Sequence, residues 1–314
     1  MKKVLVTSRS FGKISKKAEE MLKNAGMAVD YMSVYDKSAF ERMIPEYDAL
    51  IIGAHSFPPD LLERCPKLKI ICKHGIGLDN IPVEACREHH VCVTNTPGTN
   101  SDAVADFAVL LMLASARKLI YSTSELKKGN LKPEYGTDLN GKTVGLLGFG
   151  AVARRVAVRV RGFDCRILAY DPYVKALPED MSYVSLCGLE EILKESDFIS
   201  LHLPITEETR GMIGKQELEK MKPSAYLINT ARGGIIDEAA LYEAVDSGAI
   251  AGAALDVLET EPVSPNSTLL RHPHIIVTNH VASYSCEALD AVSLICAGNI
   301  VKCLAGEEPL HRVV

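Results

Sequence analysis

Two doubly wound parallel-sheet α/β lobes are what this sequence predicts, and three observations predict them. Short apolar runs alternate with helix-like stretches along the whole chain, a glycine-rich turn sits near the middle, and 314 residues exceed what one core comfortably holds. In the first half, residues 3–8 (KVLVTS), 48–53 (DALIIG), 68–72 (LKIIC) and 91–94 (VCVT) read as strands. Between the first two, Ala18, Met21, Leu22 and Ala25 recur at helical spacing within Ser15 to Ala25. The second half repeats the plan, with strands expected at 143–147, 166–170, 197–201, 225–229, 250–255 and 275–278. No sequence repeat relates the halves, so the similarity is one of architecture.

The seam between the lobes is visible. Asn100-Ser101-Asp102 supplies helix-start chemistry, and Val104, Phe107, Ala108, Leu111 and Met112 then share one helical face. A loop rich in Gly, Asn and Pro follows (GNLKPEYGTDLNG). Residues 286–305 read as a closing helix, and the tail of about thirty residues is too short for a third domain. It is expected to return to the first lobe. The boundaries are therefore 1–100 with 285–314 for one discontinuous lobe, and 101–284 for a lobe inserted into it.

Composition narrows the function classes. With 47% hydrophobic and 24% charged residues the chain is ordinary for a globular protein, and a net charge of -5 with no basic run leaves no footprint for nucleic acid. The apolar run Val4-Leu5-Val6 is too short for a signal peptide, and nothing approaches the ~18 apolar residues of a membrane span. Nine scattered cysteines without a C-x-x-C pair read as reduced thiols, which points to a cytoplasmic protein.

In GLLGFGAVA, Gly148 permits a tight turn after a buried strand, Gly150 lets backbone approach a pyrophosphate, and Ala153 allows close helix–strand packing. The bare helix start at Ala151 and Val152 favours the charge of a phosphate. About 20 residues on, Asp171 ends the next strand, where a carboxylate accepts both ribose hydroxyls and repels a 2′-phosphate. Strand, glycines, helix and acid together predict an NAD-binding Rossmann lobe rather than a structural turn with a capping Asp.

Ligands of open α/β sheets sit beyond the carboxyl ends of the strands, so the polar residues there are the candidates for chemistry. In the second half they are His202, Arg232, Asp256 and His280, with Glu259 and Glu261 just past Asp256. Arg232 offers a planar, permanently charged fork for a carboxylate; its bland alternative is a surface ion pair. His280 offers proton transfer near neutral pH if a carboxylate orients it, and otherwise is a rim residue. Spacing does not choose between Glu259 and Glu261 as that carboxylate.

GKTVGLLGFG, AYDPY, HLPITEETRGMIG, LINTARGGIIDEAAL, AALDVLETEP and NHVASYS occur in the order and spacing of the D-isomer-specific 2-hydroxyacid dehydrogenases, and KHGIGLDNIP and VTNTPGTNSDAVADFAVLLMLASARK match that family's first half. The chain resembles this family over nearly its whole length, nearest the phosphoglycerate dehydrogenase and hydroxypyruvate–glyoxylate reductase branch. The resemblance implies NAD-dependent interconversion of a small anionic 2-oxo acid and the D-2-hydroxy acid. It assigns the substrate carboxylate and carbonyl oxygen to Arg232, the general acid/base to His280, and the histidine's partner to Glu261. It places Asp256 at the nicotinamide carboxamide, and Leu203, Thr230, Ala231, Ala151 and Val152 along the cofactor groove, framed by His202. In the first lobe it gives substrate contacts to Lys73, Gly75, Ile76 and Gly77, and that lobe is flavodoxin-like. A homodimer built on the cofactor lobes is also implied, with the 101–119 helix and the following loop as the contact.

Some positions depart from the family. Arg-Ser is common where this chain has Gly53-Ala54, which removes a phosphate contact that His55 or Lys73 is left to replace. Asn279 stands where proline usually precedes the histidine, a change expected to loosen the turn that aims His280. No C-terminal regulatory domain is expected. Formate oxidation is disfavoured by Glu261, which formate-type members replace. An NADH-responsive corepressor of the same fold keeps the triad, but this chain shows no partner-docking extension.

Overall fold

The computed structural model describes residues 1–314. Strand β1 (Lys3–Val6) leads to helix α1 (Lys17–Asn24), β2 (Ala28–Tyr31), α2 (Lys37–Met43), β3 (Ala49–Ile52), β4 (Ile70–Lys73), α3 (Val83–Glu88) and β5 (Cys92–Thr94). Then come α4 (Ser101–Ala116), α5 (Leu119–Lys127), β6 (Thr143–Leu147), α6 (Ala151–Arg161), β7 (Arg166–Tyr170), β8 (Val184–Leu186), α7 (Leu189–Glu195) and β9 (Phe198–Leu201). The chain continues through α8 (Lys215–Leu218), β10 (Tyr226–Asn229), α9 (Glu238–Asp246), β11 (Gly252–Leu255) and β12 (Ile275–Val277) to α10 (Cys286–Leu304). It divides into two compact units, Met1–Asn100 with Tyr284–Val314, and Ser101–Ser283.

The first unit holds a five-stranded sheet, all parallel, in the order β2-β1-β3-β4-β5. Both faces are covered, which is why its central strands are unbroken apolar runs rather than alternations. Leu5, Leu50, Ile52 and Ile71 point to one core, while Val4, Val6, Ile51 and Ile70 point to another that includes Ala18 and Leu22 of α1 and Cys296 and Ile300 of α10. The tail lies antiparallel against β5, with Val313 donating to Val93 O and Val93 to Val314 O. That contact covers one open sheet edge.

The second unit holds seven parallel strands in the order β12-β11-β10-β9-β6-β7-β8. Counted along its own chain, β6 is its first strand and β9 its fourth, and the winding reverses between them. Such a switch point leaves a crevice at the carboxyl ends of the strands. Helices α4 and α6 cover one face through Ala105, Ala108, Met112, Ala153, Val156 and Val160. Arg159 of α6 also bridges Asp102 and Asp106 of α4.

Two strands and several of the helices, α5 among them, escape the sequence reading. β2 (AVDY) and β8 (VSL) are the outermost strands of their sheets, short and half solvated, so neither carries an apolar run. α5 follows a break at Lys118, which has φ +49°, and buries none of its residues. A helix with no buried stripe has no periodicity to read.

Candidate active site

The site is built at the switch point of the second unit. Gly148 follows β6 with φ +87°, and its amide donates to Tyr170 O at 2.8 Å. A Cβ there would lie 2.7 Å from the His202 carbonyl oxygen, so the turn admits only glycine. Gly150 is the N-cap of α6, which has no side-chain cap, and a Cβ on Gly150 would meet nothing within 4 Å. The helix's first amides, at Ala151 and Val152, are thereby left facing open space, as an anion requires. Asp171 closes the arrangement: one carboxylate oxygen accepts the Phe149 amide and the other the Tyr173 amide, each at 2.9 Å. Both oxygens keep a lone pair for the hydroxyls of a ribose.

Two buried polar atoms at the neighbouring strand ends have no hydrogen-bond partner: His202 Nε2 after β9 and Thr230 Oγ1 after β10. Unmet polar capacity of this kind is uncommon in a folded interior and marks a surface shaped for a polar ligand. Glycine cradle, bare helix start, ribose-height carboxylate and orphaned polar atoms all fit a nicotinamide dinucleotide. Burial pushes the His202 pKa down to about 3, so its imidazole is neutral and supplies no proton. Leu203, 8% exposed, comes within 3.1 Å of a Cβ built on Gly148 and so lines the turn, while Ala231 is half-buried after β10.

The loop after β10 is braced from inside. Asn229 accepts the Ala231 amide at 3.0 Å and donates to Arg232 O at 2.9 Å, and Arg232 Nη1 donates to Ala231 O at 2.8 Å. A Cβ on Gly233 would lie 1.9 Å from Leu258 O, so this loop is pressed backbone to backbone on the segment after β11. That segment carries Glu261. Glu261 Oε1 accepts the Leu258 amide at 3.1 Å, and Oε2 accepts from His280 Nδ1 at 2.8 Å. Spacing left Glu259 and Glu261 equivalent; the coordinates pair His280 with Glu261.

Electrostatics follow from this geometry. Burial pushes the Glu261 carboxyl up, but the hydrogen bond and charge of His280, the Leu258 amide and the Arg232 charge outweigh it, and the net pKa falls. The Glu261 hydrogen bond lifts the His280 pKa, against partial burial, with the charges of Glu261 and Asp256 adding and Arg232 opposing. A guanidinium that acts on both partners stands in the same small constellation.

Asp256 is 1% exposed and serves the loop that bears His280. It accepts Thr278 Oγ1 at 2.6 Å and the Val281 amide at 2.9 Å on one oxygen, and the Ala282 amide at 2.8 Å on the other. Its own carbonyl accepts the His280 amide at 2.8 Å. The Asp256 side chain thus ties the end of β11 to the loop after β12. The turn around Asn279 is anchored at four residues, so the absent proline ring has a substitute, and His280 is held at φ +58°. Asn229 and Thr278 were missed by sequence reasoning. The signal available was a hydrogen-bonding side chain at, or one residue past, the end of an otherwise apolar strand.

In the first unit, Lys73 ends β4, and Gly75, Ile76 and Gly77 lie in the loop after it, at the carboxyl end of that sheet. Lys73 Nζ donates to Gly53 O at 2.8 Å and to Asn80 Oδ1 at 2.7 Å. Gly75, at φ +146°, accepts both the Thr96 amide and its hydroxyl, and Ile76 O accepts from Asn95. His55 stacks on Tyr35 with ring centres 3.9 Å apart, and its Nε2 is hydrogen-bonded to Thr7 Oγ1 at 2.7 Å. Burial, aided by the Lys73 charge, pushes the His55 pKa down.

No cluster of His, Cys, Asp and Glu suits a metal ion, and no helix is long and apolar enough to cross a membrane. Residues 109–282 match the family model of the NAD-binding domain of the D-isomer specific 2-hydroxyacid dehydrogenases. The chain is 38% identical over 296 residues to a D-3-phosphoglycerate dehydrogenase of Archaeoglobus fulgidus, covering 93% of this chain but 56% of that protein. It is 41% identical over 286 residues to a hydroxypyruvate reductase of Thermotoga maritima, covering 90% of this chain and 92% of that one. The crystal structure of the TT0316 protein from Thermus thermophilus superposes with a TM-score of 0.92 at 33% identity, covering 99% of this chain and all of that one. A switch-point crevice shaped for a dinucleotide, a matching cofactor-domain model and full-length likeness to such a reductase place the chain in the D-isomer-specific 2-hydroxyacid dehydrogenases, a family of NAD-dependent oxidoreductases.

Proposed function

We propose that the protein interconverts a small anionic 2-oxo acid and its D-2-hydroxy acid, with His280 as the proton donor and acceptor. The observation that carries this is the 2.8 Å His280–Glu261 hydrogen bond on the same rim as the glycine turn, within the field of Arg232. A bound nicotinamide cofactor supplies the hydride. Arg232 binds the substrate carboxylate through its fork and stabilises charge developing on the carbonyl oxygen. Imidazolium His280 gives that oxygen its proton in reduction, and the neutral ring takes the proton back in oxidation. Glu261 orients the ring and favours its charged form. His55, Lys73, Gly75, Ile76 and Gly77 enter the proposal as substrate contacts on the strength of the resemblance.

Related proteins act, by their names, on 3-phosphoglycerate, glyoxylate or hydroxypyruvate. Loss of NADH absorbance with glyoxylate, hydroxypyruvate, phosphohydroxypyruvate and a branched 2-oxo acid tests the function and ranks the substrates. No oxidation of NADH with any of them would sink the enzymatic reading and leave an NADH-responsive binding protein. The pH dependence carries a definite sign. Because the His280 pKa is raised, reduction is present below that pKa and falls as pH rises through it, whereas oxidation rises over the same interval. Flat profiles in both directions, with chemistry rate-limiting, would remove His280 from the mechanism.

The proposal extends to a homodimer in the cytoplasm. Leu119, Ile120 and Leu126 of α5 and Leu131 and Tyr135 of the following loop are 53 to 88% exposed, an apolar run that water alone does not favour. Light scattering coupled to gel filtration is expected to give twice the chain mass. A monomer at micromolar concentration would refute the dimer.

A further inference from the structure

The segment bearing Glu261 is gripped at two points by one stretch of chain, Arg232 to Glu238, that runs from β10 into α9. At its near end, Gly233 brings its backbone against Leu258 O. At its far end, Glu238 Oε1 accepts the Glu259 amide at 2.6 Å. Both contacts fall on the one peptide group joining Leu258 to Glu259, and the Leu258 amide in turn holds Glu261 Oε1. Glu238 is not the cap of α9. Asp237 does that work, accepting the Ala239 and Ala240 amides at 3.0 Å each. The Glu238 carboxylate instead reaches a loop 21 residues away in sequence.

Its setting does not favour a charge. Burial pushes its pKa up, and the charges of Glu259 and Glu261 add to that, with only the Glu259 amide opposing. A half-buried carboxylate placed beside two others is a poor device for stability alone. What it does provide is a fixed acceptor for the amide two residues before Glu261. The geometry points to Glu238 as a positioning residue, whose carboxylate oxygen fixes the Glu259 amide and so sets the hydrogen bond between Glu261 and His280. The inference rests on the reading of that pair as the proton-transfer machinery. The charged groups in play are Glu259 and Glu261 facing Glu238, Arg232 and His280 facing Glu261, and Asp256 acting on His280.

The test uses the full chain with NADH and the most active oxo acid of the panel above. In Glu238→Ala the loop loses its acceptor and the His280–Glu261 bond slackens, so His280 drifts toward its ordinary pKa. Turnover is expected to fall about tenfold, the worth of one well-made hydrogen bond. The alkaline limb of reduction is expected to move down by about half a pH unit. Glu238→Gln keeps an oxygen acceptor and is expected to restore both. Glu238→Met, which keeps the stem without the acceptor, is expected to match Ala and replaces it if that variant does not fold. A Gln variant displaced as far as Ala would assign the effect to charge and overturn the inference, as would lost turnover with an unmoved limb. Failure of the underlying reading shows elsewhere, as wild-type turnover in His280→Ala.

Discussion

His280→Ala is expected to lower turnover by about 10²–10⁴-fold, the usual contribution of a positioned acid or base. NADH affinity is expected to stay nearly intact. The glycine turn, the start of α6 and Asp171 make the fit to the dinucleotide, and none of them touches the His280 ring. The main-chain bond from the His280 amide to Asp256 does not depend on the side chain, so the loop should hold its course in the variant. Stopped-flow reduction and NADH fluorescence titration together separate a lost proton donor from a lost cofactor site. Wild-type turnover in the variant would end the mechanism. Weak NADH binding would instead mean that the ring supports the cofactor groove. Glu261→Gln is the companion. It leaves the imidazole in place but withdraws the main cause of its raised pKa, so the alkaline limb of reduction should move to lower pH.

Which parts of this arrangement are legible in sequence follows from how each is made. Strands buried on both faces announce themselves, because a parallel sheet between helices needs unbroken apolar runs such as ALII at 49–52 and GAAL at 252–255. Edge strands β2 and β8 need no such run and pass unseen. The rim residues Arg232 and His280 are legible for a topological reason: a polar side chain just after a buried strand must lie near the switch point. The contest between Glu259 and Glu261 is not legible, because it is decided by the fold of the LETEP segment. There the Leu258 amide binds Glu261, and the Glu259 amide turns to Glu238. Burial is equally invisible. His55 stands in sequence as one of two substitutes for a phosphate contact, and its stack on Tyr35 and the burial that lowers its pKa do not show there. The hold of Asp256 on the loop after β12, through its side chain at Thr278, Val281 and Ala282 and its carbonyl at His280, is also invisible in sequence.

Arg232→Gln gives the second large effect and a signature of opposite sign. Glutamine retains a hydrogen-bond donor but loses both the charge and the fork, so substrate binding and stabilisation of the developing oxyanion fail together. A loss of about 10²–10³-fold in kcat/KM is expected, the scale of removing one preorganised donor from such a site. Arg232→Lys should recover only part of it, since a point charge cannot grip a carboxylate at two atoms. The pH profile then discriminates. Arg232 holds the His280 pKa down, so its removal lets that pKa rise and should carry the alkaline limb of reduction to higher pH. Glu261 also loses a stabilising cation, so the acidic limb should rise with it. Both limbs moving upward while kcat/KM collapses is what a guanidinium beside the histidine–carboxylate pair requires. A collapse with both limbs unmoved would place Arg232 too far from the pair to act on either, and the carboxylate anchor would have to be sought in another side chain.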